Sequence, residues 1–496
     1  MDLRESLVLL LVGSFVVQFC CNANANLVFP VVRKFKGPVE NLAAIKAHDA
    51  GRRGRFLSVV DVALGGNGRP TSNGLYYTKI GLGPKDYYVQ VDTGSDTLWV
   101  NCVGCTACPK KSGLGMDLTL YDPNLSKTSK AVPCDDEFCT STYDGQISGC
   151  TKGMSCPYSI TYGDGSTTSG SYIKDDLTFD RVVGDLRTVP DNTSVIFGGA
   201  LVGASVMVGV VAMCGSKQSG TLSSTTDTSL DGIIGFGQAN SSVLSQLAAA
   251  GKVKRIFSHC LDSISGGGIF AIGEVVQPKV KTTPLLQGMA HYNVVLKDIE
   301  VAGDPIQLPS DILDSSSGRG TIIDSGTTLA YLPVSIYDQL LEKILAQRSG
   351  MKLYLVEDQF TCFHYSDEES VDDLFPTVKF TFEEGLTLTT YPRDYLFLFK
   401  EDMWCVGWQK SMAQTKDGKE LILLGDLVLA NKLVVYDLDN MAIGWADYNC
   451  SSSIKVKDDK TGSVYTMGAH DLSSASTVLI GKILTFFVLL ITMLST

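Results

Sequence analysis

The chain has 496 residues, room for two or three domains or one large β-rich unit, and its 44% hydrophobic residues, 19% charged residues and 49 glycines are those of a turn-rich globular protein. That profile excludes a disordered or coiled-coil chain. Acidic residues outnumber basic ones by 53 to 41, a net charge of −12, and nothing supplies the basic stripe that phosphate neutralisation needs, so a general nucleic-acid binder is excluded too.

At the N-terminus "SLVLLLVGSFVVQF" is an apolar run too short to span a bilayer comfortably, and "ANA" at 23–25 places small residues as a signal-peptidase site requires. Residues 1–25 read as a signal peptide cleaved after Ala25; an N-terminal membrane anchor is the alternative. Residues 26–68 are basic: Arg33, Lys34, Lys36, Lys46, Arg52, Arg53 and Arg55 face only Glu40, Asp49 and Asp61. Residues 1–68 hold 8 of the 41 basic and 5 of the 53 acidic side chains, so the remainder carries −15. The stretch is either a solvated linker or a removable segment that covers an acidic cleft.

From residue 75 onward, β-branched and aromatic runs such as "LYYTKIGLG", "YSITYGDGS", "VVLKDIEVAG" and "KLVVYDLDN" are separated by Gly, Asn, Asp and Ser. This predicts a mostly β protein. Apolar residues at three- and four-residue steps predict short helices in "SSVLSQLAAAGKV" and "SIYDQLLEKILAQ". The Ser/Thr-rich stretch 218–230 reads as a loop.

Two stretches repeat one theme. "VQVDTGSDTLWVNC" (89–102) is followed by "DGIIGFG" with Gly235, and "GTIIDSGTTLAYLP" (320–333) by "LILLGDLVL" with Gly425. Each places an aspartate, Asp92 or Asp324, between an apolar strand and a turn of hydroxyl residues and glycine. Gly94 and Gly326 let the turn tighten so that backbone N–H groups approach the carboxylate, and the hydroxyls of Ser95 and Thr327 can donate to it. Two carboxylates brought within hydrogen-bonding reach cannot both ionise easily. One can then activate a water as general base while the other protonates or hydrogen-bonds a peptide carbonyl, giving hydrolysis without a covalent intermediate. The bland alternative is a pair of Asp turns with no chemistry.

Cysteine usage fits an oxidising compartment. Of 14 cysteines, Cys20 and Cys21 leave with the signal, and an even remainder on a secreted chain reads as disulfides. Cys102, Cys105 and Cys108 in "CVGCTACP", with Cys134 as a fourth, also match iron–sulfur ligand spacing. Secretion and the nearby Cys139, Cys150 and Cys156 favour a disulfide-stapled insert over residues 102–156. Cys214, Cys260 and Cys450 join the same pool, without partners legible from spacing. Sequons stand at Asn124, Asn192, Asn240 and Asn449.

The tail "SSASTVLIGKILTFFVLLITMLST" ends in an apolar stretch from Val478 to Leu494 that contains Lys482 and stops without a basic tail. This is a poor transmembrane helix. Small residues at Ser473, Ser474 and Ala475, a short spacer and an apolar end match a GPI-attachment signal, with Ser473 as the attachment site. A true membrane helix and a soluble product are the alternatives.

These motifs together resemble the pepsin-like aspartic proteases, and within them the plant nepenthesin-like branch with its GPI-anchored members, across residues 75 to 450. "YGDGSTTSG" is similar to the family's flap hairpin, and "LYDPNLSKTSKAVPCDDEFC", "MCGSKQSG" and "IFSHCL" resemble further stretches of the branch. The resemblance implies a mostly β, bilobal pepsin-like fold with two pseudo-symmetric lobes and a few short helices. It makes Asp92 and Asp324 the catalytic pair, with Gly94, Ser95, Gly326 and Thr327 in support. Tyr162 becomes the flap tyrosine, Trp99 its contact, and Cys362 with Cys405 a disulfide of the second lobe. Ser325 stands where the family usually has Thr, and Asp96 adds a further acid beside the site.

The implied organisation is a signal peptide (1–25), a basic prosegment (26–68), lobes at 69–270 and 271–450, a polar stalk (451–473) and a GPI signal (474–496). The expected product is an acid-active aspartic endopeptidase, monomeric, without cofactor or metal. Its partners would be a polypeptide substrate and, through a lipid anchor, the extracellular face of the plasma membrane; nucleic acid is not among them. With five His residues and neither His-Glu-x-x-His nor Gly-x-Ser-x-Gly, metallo- and serine-hydrolase chemistries have no footing. The alternative from another class is a catalytically silent pepsin-fold binding or inhibitor protein.

Overall fold

The apolar, largely buried strand Lys432–Asp437 and the neighbouring Ala442–Asp447 form an antiparallel hairpin. The computed structural model describes residues 27–33 and 76–469, except 106, 113–116, 163–165, 200–216, 224–228, 265, 314–319, 347, 349, 358, 367–369, 412–419 and 459–460. That hairpin belongs to the second lobe, yet it pairs antiparallel with Ile256–Leu261 at the end of the first, His259 opposite Val434. One 15-stranded sheet therefore runs from Lys281–Pro284 through this junction into Tyr76–Leu82, Lys85–Asp92 and the long hairpin Thr167–Gly184/Arg187–Gly199. Three further sheets, of five, four and four strands, build the second lobe. The fold is mostly β and bilobal, the pepsin-like architecture.

The junction is filled by aromatic rings from both lobes. Phe257 stacks on Tyr436 at 4.4 Å between centroids, and Tyr292 packs edge-on to Tyr436 at 4.6 Å. Such pairs add to area burial through ring electrostatics. Fully buried polar side chains, His259 among them, sit inside this layer.

The two expected helices form as Val243–Ala249 and Val334–Ala346. The Ser242 hydroxyl caps the first by accepting from Ser245 N at 3.2 Å. The second buries Ile336, Leu340 and Ile344 on one face at four-residue steps. Two expectations are corrected. The loop expected at 218–230 begins instead as a strand, Lys217–Ser219, pairing with Thr167–Ser169, because its hydroxyl side chains meet across the ladder, Thr167 Oγ1 lying 2.7 Å from Ser219 Oγ. The polar stalk expected at 451–473 is, over Ser453–Lys457 and Val464–Gly468, an antiparallel hairpin that extends a sheet with Glu274–Gln277. Its overall polarity conceals a two-residue alternation: Ile454, Val456 and Met467 point one way, into a cluster with Val182 and Cys450.

Candidate active site

The strand Lys85–Asp92 ends at its aspartate, and Gly232–Gly235 runs parallel beside it with Gly235 opposite Asp92. Asp324 follows Thr321–Ile323, which pairs in parallel with Ile422–Leu424 in the same manner. The repeated theme in the sequence is thus two copies of one local structure. In each, the turn grips its own carboxylate by both oxygens. Gly94 N donates to Asp92 Oδ1 at 2.8 Å and Ser95 Oγ to Oδ2 at 2.5 Å; Gly326 N donates to Asp324 Oδ1 at 2.8 Å and Thr327 Oγ1 to Oδ2 at 2.9 Å. Both aspartates are buried, at 0% and 1% exposure, so these bonds fix their orientation without competition from bulk water.

The glycines of the partner strands are a steric necessity. A Cβ at Gly235 would stand 2.4 Å from the carbonyl carbon of Asp96, and one at Gly425 2.3 Å from Thr327 O. Only a hydrogen fits where each turn crosses.

The two turns are joined by a residue the sequence did not single out. Ser325 N donates to Thr93 Oγ1 at 2.8 Å, and the two hydroxyls lie 3.3 Å apart, across 232 residues of chain. The signal was a small hydroxyl residue after each aspartate. Thr93 also engages the hydroxyl of Tyr436, which lies 3.1 Å from His259 Nε2. Complete burial pushes the His259 pKa down to about 3, so the ring is neutral at pH values well above that. Asp96 Oδ1 accepts from Ala239 N at 2.8 Å, bracing the turn after Gly235.

Tyr162 follows the strand Pro157–Thr161 and closes its hairpin through Tyr162 N to Ser166 O at 2.8 Å. The tip, 163–165, lies outside the described residues. Trp99 Nε1 donates to the Tyr162 hydroxyl, with the rings tilted at 6.4 Å, so the two aromatic residues expected to meet do meet.

Among the described residues five disulfides are present: Cys105–Cys108, Cys134–Cys150, Cys139–Cys156, Cys260–Cys450 and Cys362–Cys405. The first uses two of the thiols that iron–sulfur ligation would need, and three of the five staple the insert. Cys102 is buried, and Cys214 lies outside the described residues. Asn124, Asn192, Asn240 and Asn449 are all exposed. Ser473 and the signal and GPI segments lie outside the described residues; of the basic leader, 27–33 forms a strand between Gly268–Ile272 and Tyr76–Leu82.

Two glycine-crossed aspartate turns tied by one hydroxyl bridge, in a bilobal β fold, define a pepsin-like protein. The chain matches the family models "Xylanase inhibitor N-terminal" over residues 76–274 and "Xylanase inhibitor C-terminal" over 291–447. It is 50% identical to Aspartic proteinase 36 of Arabidopsis thaliana over 98% of this chain and 97% of that one, and 50% identical to Aspartic proteinase 39 of the same plant over 99% of each. Among solved structures, soybean Basic 7S globulin matches with a TM-score of 0.58 over 86% of this chain and 97% of that one, at 21% identity, a likeness of fold alone. The chain belongs to the plant pepsin-like aspartic protease family.

Proposed function

We propose that the protein is a secreted aspartic endopeptidase of the nepenthesin-like branch, using Asp92 and Asp324 as its catalytic pair. The observation that carries this is the Ser325 N to Thr93 Oγ1 bond, which holds two separately gripped carboxylates in one constellation. Residues that served only as turns would need no such tie. A water between the aspartates loses a proton to one of them as it attacks the peptide carbonyl, while the other donates to the carbonyl oxygen. Each carboxylate is oriented by an amide and a hydroxyl, so little reorganisation accompanies the charge shift. Tyr162, held by Trp99, is the group that closes over the peptide.

The names of the relatives support a protease role, and those of the family models a binding one. The completeness of both turns favours the enzyme over a silent inhibitor of the same fold. The test is digestion of a denatured protein mixture at acidic pH: wild type cleaves and a statine-type inhibitor stops it. Asp92→Asn and Asp324→Asn should each abolish cleavage with the fold retained; wild-type activity in either variant refutes the assignment.

The remaining parts of the reading are likewise proposals. The basic stretch 26–68 is a prosegment, tested by N-terminal sequencing of the native enzyme. The tail directs a GPI anchor at Ser473 that holds a monomer at the outer face of the plasma membrane, tested by release from intact cells with phosphatidylinositol-specific phospholipase C.

A further inference from the structure

A cavity of about 670 Å³ opens in the second half of the chain, and none of its lining residues belongs to an aspartate turn or to the flap. Its size is that of a ligand site. Its cations are already matched. Lys432, 2% exposed, sets Nζ 3.0 Å from Oδ2 of the equally buried Asp394, and Arg393 Nη1 donates to Asp372 Oδ2 at 2.6 Å. A wall whose positive groups are committed to its own carboxylates does not select a phosphate or another anion.

What remains on offer is of a different kind. Asp447 is exposed; it accepts a long bond of 3.3 Å from the Tyr391 hydroxyl and its other oxygen lies 3.9 Å from Lys432 Nζ, leaving most of its acceptor capacity turned to solvent. Tyr391, with the Arg393 guanidinium over its ring at 4.8 Å, and Tyr448 line the cavity, and Ile264, also in the lining, is 71% exposed. Carboxylate acceptors, aromatic planes and an uncovered aliphatic surface, with the cations neutralised, suit a neutral polyhydroxylated ligand whose hydroxyls donate and whose C–H faces pack on rings.

The same wall carries a built-in source of such a ligand. Asn449, Cys450 and Ser451 line the cavity and form an Asn-x-Ser sequon. Asn449 is exposed; its Oδ1 accepts from Ser451 N at 3.1 Å, and its Nδ2 makes no hydrogen bond to the described residues. At Asn124, by contrast, Nδ2 donates to Asp122 Oδ1 at 3.0 Å. The Cys260–Cys450 disulfide anchors the segment beside the cavity.

We propose that Asn449 carries an N-linked glycan whose first sugars pack into this cavity. The bond is formed between Nδ2 and C1 of an N-acetylglucosamine delivered on a lipid pyrophosphate; the lipid pyrophosphate leaves and Nδ2 gives up one proton. The proposal requires passage through the secretory pathway but not catalysis by the aspartate pair.

The full chain is expressed in secretory cells restricted to high-mannose glycans, occupied asparagines are mapped by mass spectrometry, and release by endoglycosidase H is followed in native and urea-denatured protein. Asn449 should be occupied, its glycan should be cut at least about tenfold more slowly in the native protein, as access then requires local opening, and Tyr391→Ala should remove most of that protection. If that variant does not fold, Ile264→Asp at the exposed rim gives the same readout. An unoccupied Asn449, equal release from native and denatured protein, or protection indifferent to the folded rim variants would overturn the proposal.

Discussion

Asp231 precedes the strand Gly232–Gly235 and is 1% exposed. Tyr88 N donates to its Oδ2 at 2.8 Å and Thr119 N to its Oδ1 at 2.5 Å. Those amides favour the carboxylate, but burial outweighs them and raises the pKa from 3.8 to about 7. The folded state thus keeps a proton that the unfolded chain releases, and the stabilisation is complete below about pH 4, declines as pH rises, and is gone above about pH 7. A displacement of about three units corresponds to about 4 kcal/mol. Asp231→Asn cannot ionise, and it offers one acceptor where two amides point, which costs up to about 3 kcal/mol at every pH. The variant should therefore be less stable than the parent at pH 4 and as stable or more stable at pH 8. Urea unfolding followed by tryptophan fluorescence at unit steps of pH reads this, with both chains carrying Asp324→Asn to prevent self-digestion. A stability difference that stays constant from pH 4 to 8 would show that Asp231 does not titrate in this way.

Thr93→Val keeps the shape of the bridge but leaves the Ser325 amide unpaired in a buried site, so stability should fall by about 1–3 kcal/mol and cleavage should drop with it. Unchanged activity at unchanged stability would deny the tie its role. Gly425→Ala drives a Cβ to 2.3 Å from Thr327 O, and a shift of the turn should cost about 1–3 kcal/mol or more, seen as a lower Tm. Replacing both Cys260 and Cys450 by Ala opens a loop of 190 residues and should cost about 3–5 kcal/mol in urea unfolding. Trp99→Phe removes the donor to the Tyr162 hydroxyl and should reduce kcat/KM while unfolding shifts by about 1 kcal/mol.

The two aspartate turns were legible in the sequence because everything that makes them is local: a strand, a hydroxyl residue and a glycine within four positions. The helix at Val334–Ala346 was legible for the same reason, its apolar residues repeating at the period of its own hydrogen bonds. The need for glycine at 235 and 425 was visible as a repeat, but its cause, a neighbouring backbone within 2.4 Å, exists only where two distant segments cross. Tertiary structure alone decided that Thr93 and Ser325 meet, that Asp231 is buried against two amides, and that Asn449 stands on the wall of a cavity. It also decided the pairing of Cys134 with Cys150 and of Cys139 with Cys156, since a disulfide demands Cα separations near the 5.9 Å found for both, and spacing along the chain does not encode them. The stalk was misread for a related reason: polar residues on one face of "SIKVK" dominate its composition, and only a partner strand and a buried cluster reveal that the other face is core.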